Sequence, residues 1–175
     1  IARRQRQMCI RDSVYAVPVK ALNWRSVSAI GAEFQIGTTV SEVFQFAIDY
    51  SFLKMEDLTE NGPLLYRPAH KLNGTGSLRR GRFSISLTGR YVSRQKYEDF
   101  LSRNYSFDNE RVVFPLQWLS PRFLADANLS YRFNSMEIIL KVENLFNTDY
   151  QLLQNYPMPG RIWMLTFSIN SKTKG

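Results

Sequence analysis

The sequence predicts an all-β fold, an antiparallel sheet belonging to a transmembrane β-barrel. Three observations predict it. About seven stretches alternate apolar and polar residues over roughly ten residues each. The apolar parity of each carries no charge, and the connections between stretches alternate short and long. Strand side chains alternate sides with period two, so each stretch has one apolar and one mostly polar face. Soluble strands average about five or six residues, whereas a tilted strand crossing the hydrocarbon layer needs about nine to eleven.

The first strand is expected at 26–38, with Ile30, Ala32, Phe34 and Ile36 on one face against Glu33 and Gln35. At 42–54, Phe44, Phe46, Ile48, Tyr50 and Phe52 oppose Gln45, Ala47, Asp49, Ser51 and Leu53. Leu72, Gly74, Gly76 and Leu78 oppose Asn73 and Thr75 at 69–79. The alternation is plainest at 82–94, where Phe83, Ile85, Leu87, Gly89 and Tyr91 face away from Ser84, Ser86, Thr88 and Arg90. At 123–133, Ala125, Ala127, Leu129, Tyr131 and Phe133 oppose Asp126, Asn128 and Arg132. Met136, Ile138, Leu140 and Val142 oppose Glu137, Lys141 and Glu143 at 136–145, and 161–170 carries Trp163, Leu165, Phe167 and Ile169. A Lys or Arg facing lipid at the midplane costs about 2–4 kcal/mol, which confines charge to the other parity. Glu33, Asp49, Arg90, Asp126, Arg132, Glu137, Lys141 and Glu143 are therefore expected to face the lumen.

Short connections fall at 39–41, around Gly81 and at 134–135; long ones fall at 55–68, 95–122 and 146–160. Outer-membrane barrels alternate tight periplasmic turns with extended outer loops in this way. Phe44, Phe83, Tyr131 and Phe133 lie beside the short turns, while Tyr50, Phe52, Tyr91 and Trp163 lie toward the long loops. Aromatic girdles occupy both membrane–water interfaces. Single-chain bacterial barrels have even strand numbers from about eight upward, so a sheet of about seven is expected to be part of a larger barrel.

The remaining composition removes other classes. The 175 residues carry 23 Lys+Arg against 15 Asp+Glu, a formal charge of +8. The cations are scattered over turns and polar faces, as at Arg79, Arg80, Arg82, Arg90 and Lys141, so no nucleic-acid stripe forms. No apolar run reaches the roughly eighteen residues of a helical span. The opening IARRQRQMCIRDS has four arginines and neither strand nor helix periodicity. It resembles translated adapter sequence, and Ile1 to about Ser13 is expected to be non-native or unstructured; a native strand end or outer loop is the alternative. Val14–Trp24 is ambiguous and Pro18 limits its pairing. The barrel part is placed at 14–170, with a short tail at 171–175. Cys9, the only cysteine, lies in the opening, so no disulfide or metal motif is available.

No catalytic constellation is present. His70 is the only histidine, and neither a P-loop nor a Gly-x-Ser-x-Gly elbow occurs. Glu137 and Glu143, with Lys141 between them, read as a lumenal salt-bridge ladder rather than an acid–base pair. The chain is expected not to be an enzyme, and no metal site is expected.

The most specific residues are near the end: Val142-Glu-Asn144-Leu145-Phe146-Asn147, then Tyr150, then Tyr156-Pro-Met-Pro159-Gly160-Arg161. This resembles the carboxyl-terminal pattern of TonB-dependent outer-membrane receptors, an "NLF(N/D)…Y" segment before "PGR" and the closing strand. Gly31-Ala-Glu33 resembles the family's "GxE" and Arg67-Pro-Ala-His70 its "RPxH". Gly160 followed by Trp163, Leu165 and Phe167 resembles the signal read by the barrel-assembly machinery. The tail Ser171–Gly175 departs from the usual terminal aromatic. The resemblance implies a barrel of twenty-two strands around a plug, in the outer membrane of a Gram-negative bacterium. It implies TonB as partner through an amino-terminal plug, and import of a ferric siderophore or a cobalamin-like molecule, with no resident cofactor. A glycan or other organic nutrient is the alternative cargo. A passive porin or adhesin barrel is the alternative class, and a soluble β-sandwich or propeller module the third. Tyr97, Phe100, Tyr105, Phe107 and Trp118, in the longest loop, are the candidate ligand contacts, with loop-on-loop packing as the rival role.

Overall fold

Alternating apolar and polar residues become strand throughout the computed structural model, which describes residues 26–59, 62–108 and 111–169. The expectations for 1–13, for 14–24 and for the tail lie outside these residues. The strands in chain order are β1 (Val27–Thr39), β2 (Phe44–Asp57), β3 (Gly62–Pro63), β4 (His70–Arg80) and β5 (Phe83–Val92). Then come β6 (Gln95–Glu98), β7 (Ser106–Asp108), β8 (Arg111–Val113), β9 (Leu116–Leu119) and β10 (Arg122–Phe133). The series ends with β11 (Met136–Glu143), β12 (Gln151–Leu153), β13 (Tyr156–Pro157) and β14 (Ile162–Ile169). No helix occurs among the described residues.

The main sheet is an antiparallel meander in the order β1-β2-β4-β5-β10-β11-β14, with β3 added beside the far end of β2. It does not close: β1 and β14 are its two edges. These seven long strands match the expected ones to within a few residues.

Register aligns the faces across the whole sheet. One row of partners runs Phe34, Tyr50, Leu72, Tyr91, Phe123. Another runs Phe44, Leu78, Ile85, Leu129, Leu140, Leu165. Between such rows, Gln35, Asp49, Asn73 and Arg90 form a polar one on the opposite side. Slipping any strand by one residue would carry its apolar set to the other face, so the pattern itself specifies the pairing.

The apolar face is uncovered. Phe34 is 59% exposed, Leu87 51% and Leu165 57%. Among the described residues only Tyr97, Leu119 and Val142 are buried hydrophobics. Monomeric soluble proteins rarely expose contiguous apolar patches of more than a few hundred Å². A one-layer sheet with such a face calls for hydrocarbon as its second layer.

Two expectations need correction. The apolar parity is not charge-free to its ends. Lys54 and Glu56 continue the parity of Phe52 and pair at 2.8 Å, and Arg80 continues that of Leu78. These strands outrun the apolar belt, and at their ends the same parity meets water. The long connections are also not plain loops. Residues 95–122 form two successive ladders, β6 with β9 and β7 with β8, joined by Asp99 N donating to Pro115 O at 3.0 Å. The hairpin of β5 and β10 thus continues beyond the sheet with a joint at Ser93–Arg94 and Ser120–Pro121. In 146–160, β12 pairs with β13. Backbone groups must find partners, and two segments leaving a paired hairpin side by side find each other first.

The short turns have local causes. Gly81 and Asn134 hold φ of +57° and +52°, a region glycine and asparagine enter at least cost. At residues 40–43, Ser41 Oγ accepts from the N–H groups of Val43 and Phe44, each at 3.2 Å.

Candidate functional site

The five loop aromatics do not converge on one point. Phe100 meets Phe114 edge-on with centroids 4.9 Å apart, and Tyr105 touches both Phe107 (5.9 Å) and Phe114 (6.5 Å). These rings form a chain at the outer part of the hairpin, packed loop on loop around Phe114, a residue the sequence reading did not single out. Phe114→Ala is expected to loosen this tip alone. Amide exchange should quicken in β7 and β8 by about tenfold, about 1.4 kcal/mol of local stability, while β5 and β10 stay protected.

Tyr97 is buried and stacks on Tyr66 at 6.3 Å. Burial, then Asp99 and Tyr66, push its hydroxyl pKa up from the ordinary tyrosine value. Trp118 stands apart, with the Arg94 guanidinium 4.2 Å and the Lys96 ammonium 5.2 Å from its ring centroid. Gln95, with its amide turned to suit its neighbours, donates to Tyr66 O at 3.0 Å and accepts from Arg122 at 2.8 Å.

The charged residues of the polar parity pair along and across strands. Arg90 bonds Asp126 across β5 and β10, and Arg132 bonds Glu137 at 3.2 Å across β10 and β11. Among the described residues Lys141 pairs with Glu143 alone, at 2.6 Å along β11, so the three residues do not form one ladder. Side chains two apart share a face, whereas Arg132 sits directly opposite Glu137 and competes for it. Glu33 lines an open cavity of about 850 Å³ with Lys71, Gln95 and Arg122, and Asp49 lies opposite Gln35 and Asn73.

The segment 144–161 is a built polar knot. Asn144 ends β11 at φ +50° and is only 5% exposed. Its side chain pairs both ways with Thr148, Oδ1 accepting from N and Nδ2 donating to O, each at 2.9 Å. The Asn144 N–H donates to Asp126 Oδ1 at 3.0 Å, and Leu145 N donates to Ala125 O at 2.7 Å. Asn147, at φ +53°, accepts from Arg161 N at 2.9 Å through its own Oδ1. This ties the turn after β11 to β10 on one side and to the start of β14 on the other. Phe146 is exposed and stacks on Phe123 at 6.1 Å. Tyr150 O accepts from Met158 N at 3.0 Å, and Pro159 and Gly160 line a small recess beside Arg90 and Asn144.

Gly160 is required by contact. A Cβ there would lie 2.6 Å from Asn147 Oδ1, the atom that accepts from Arg161. Gly160→Ala is expected to break that bond and lower stability by about 1–2 kcal/mol, read from a urea-unfolding midpoint in detergent. Trp163, Leu165 and Phe167 follow on the apolar parity of β14, opposite Val142, Leu140 and Ile138.

Long antiparallel strands, an apolar belt along one face, one polar face and alternating turns and loops define the wall of an outer-membrane-type β-barrel. The chain has the fold of the barrel portion of TonB-dependent receptors. The ferric-catecholate import receptor Fiu from E. coli K12 superimposes with a TM-score of 0.61 at 20% identity, over 82% of this chain and 21% of that one. For the ferripyoverdine receptor of the outer membrane of Pseudomonas aeruginosa the TM-score is 0.67 at 14% identity, over 82% and 19%. The copper transporter OprC gives 0.62 at 15% identity, over 83% and 24%. At these identities the likeness is one of fold, and the chain spans about a fifth of the length of the two receptors. No family model and no curated protein matches it.

Proposed function

We propose that the chain is the carboxyl-terminal part of the barrel of a TonB-dependent receptor that imports a metal chelate, a ferric siderophore foremost, across a Gram-negative outer membrane. The observation that carries this is the uncovered apolar face combined with the knot at Asn144–Arg161. Passive barrels share the first feature; the second resembles the receptor pattern at Asn144-Leu145-Phe146-Asn147, Tyr150 and Pro159-Gly160-Arg161. The named cargoes of the similar structures are ferric chelates and copper, which favours metal uptake over a glycan, and cobalamin finds no support there. In this reading the polar parity faces the lumen, the long loops face the medium, and Trp163, Leu165 and Phe167 serve barrel assembly. TonB engages a plug carried elsewhere in the protein.

Uptake of a radiolabelled ferric siderophore by cells carrying the full-length gene tests the reading. Uptake should require the gene and collapse when the proton gradient is dissipated. Transport that survives loss of the gradient would favour a passive channel. Alanine replacements at Phe100, Tyr105, Phe107 and Trp118 together are expected to weaken chelate binding at least about tenfold, about 1.4 kcal/mol; unchanged affinity would remove the loop from the ligand site.

A further inference from the structure

Between the loop end of β2, the segment 62–69 and the β6–β9 ladder lies an open cleft of about 540 Å³. Its lining divides by chemistry. Leu53, Met55, Leu58 and Leu64 are apolar; Lys54, Arg67, Arg94 and Lys96 are cationic, and Arg94 and Lys96 lie over the Trp118 ring. The two acids of the lining have partners of their own, Glu56 with Lys54 of the same lining at 2.8 Å and Asp57 Oδ1 with Thr59 N at 2.7 Å, and four cations against two acids leave the cleft positive. Among the described residues, Arg67, Arg94 and Lys96 have no ion pair with a carboxylate. Three like charges sharing one cleft repel one another. Contact with a single indole offsets this only in part, and it holds the Arg94 guanidinium against the Trp118 ring.

We propose that this cleft binds a phosphate-bearing amphiphile. Arg67, Arg94 and Lys96 take the phosphate, and the apolar side receives the hydrocarbon attached to it. A group of two negative charges with several acceptor oxygens answers this many donors better than a carboxylate. The same chemistry arrives from either of two sources, a phosphorylated lipid headgroup of the surrounding leaflet or a soluble phosphate ester. The site does not depend on the transport reading, because a passive barrel with this cleft would bind the same group.

Calorimetry on the full-length protein in detergent tests it, with a short-chain phosphatidic acid, the phosphatidylcholine of equal chain length and inorganic phosphate as probes. Saturable binding of phosphatidic acid, at least about tenfold tighter than of phosphatidylcholine, is expected. Arg94→Gln with Lys96→Gln should abolish it, while the charge-preserving pair Arg94→Lys with Lys96→Arg should retain most of it. Inorganic phosphate binding as tightly as phosphatidic acid would overturn the proposal, because the apolar side of the cleft would then contribute nothing. Much weaker inorganic phosphate would support it and assign it to membrane lipid. Equal affinity for the two lipids, or full affinity in the folded glutamine variant, would overturn the proposal. The lipid comparison on the unaltered protein decides even where the glutamine variant fails to fold.

Discussion

Replacing Asn144 by alanine is expected to destabilise the folded sheet by about 3 kcal/mol. Two side-chain bonds to Thr148 are lost, each worth about 1 kcal/mol net. Alanine must then hold φ at +50°, where a Cβ without a local hydrogen bond costs about 1–2 kcal/mol. Asn144→Gly separates the contributions, since glycine loses the bonds without the strain. It should recover about 1 kcal/mol of the loss. Urea-unfolding midpoints in detergent, with heat-modifiable gel mobility as the check on folding, measure all three proteins. Alanine and asparagine variants of equal stability would show that the knot does not hold the last strand. Aspartate at 126 shares the knot through Asn144 N and Arg90, so double changes there should not add.

An effect of similar size is expected in the middle of the apolar face. Leu87 lies between Gly76 and Ala127, well inside the sheet, while its neighbour Ser86 lies between Ser77 and Asn128 on the polar side. Leu87→Arg should cost about 2–4 kcal/mol in a bilayer and Ser86→Arg about 1 kcal/mol or less. Stability in phospholipid vesicles, compared for the two variants, reads the difference directly. Equal costs would sink the assignment of the faces. A harmless Leu87→Arg would mean that hydrocarbon does not cover this side.

The legible part of the protein was the part written in local order. Strand identity, face assignment and the sheet's meander followed from period two, because each residue's side is decided by its neighbours along the chain. The long-loop ladders were not legible. Gln95–Glu98 and Leu116–Leu119 are too short to show alternation, and Pro115 and Pro121 disguise them as loop. Phe114 went unnoticed for a similar reason, since its importance comes from the rings folded onto it. The charged ends at Lys54, Glu56 and Arg80 were misread because parity says which face a residue takes and not how far along the strand the apolar belt extends.

Period-two alternation is enough to specify an antiparallel sheet with one apolar and one polar face, since apolar and charged side chains cannot share a strand face buried in hydrocarbon. The short connections around Gly81 and at 134–135 were equally plain, because glycine and asparagine enter positive φ at least cost. It took the folded chain to set Asn147 beside Gly160, to give Lys141 to Glu143 and Arg132 to Glu137, and to bring Arg67, Arg94, Lys96 and Trp118 to one cleft. Those contacts join residues far apart in the chain or rivals for one partner, and they depend on how strands twist and loops fold back, which no local pattern encodes.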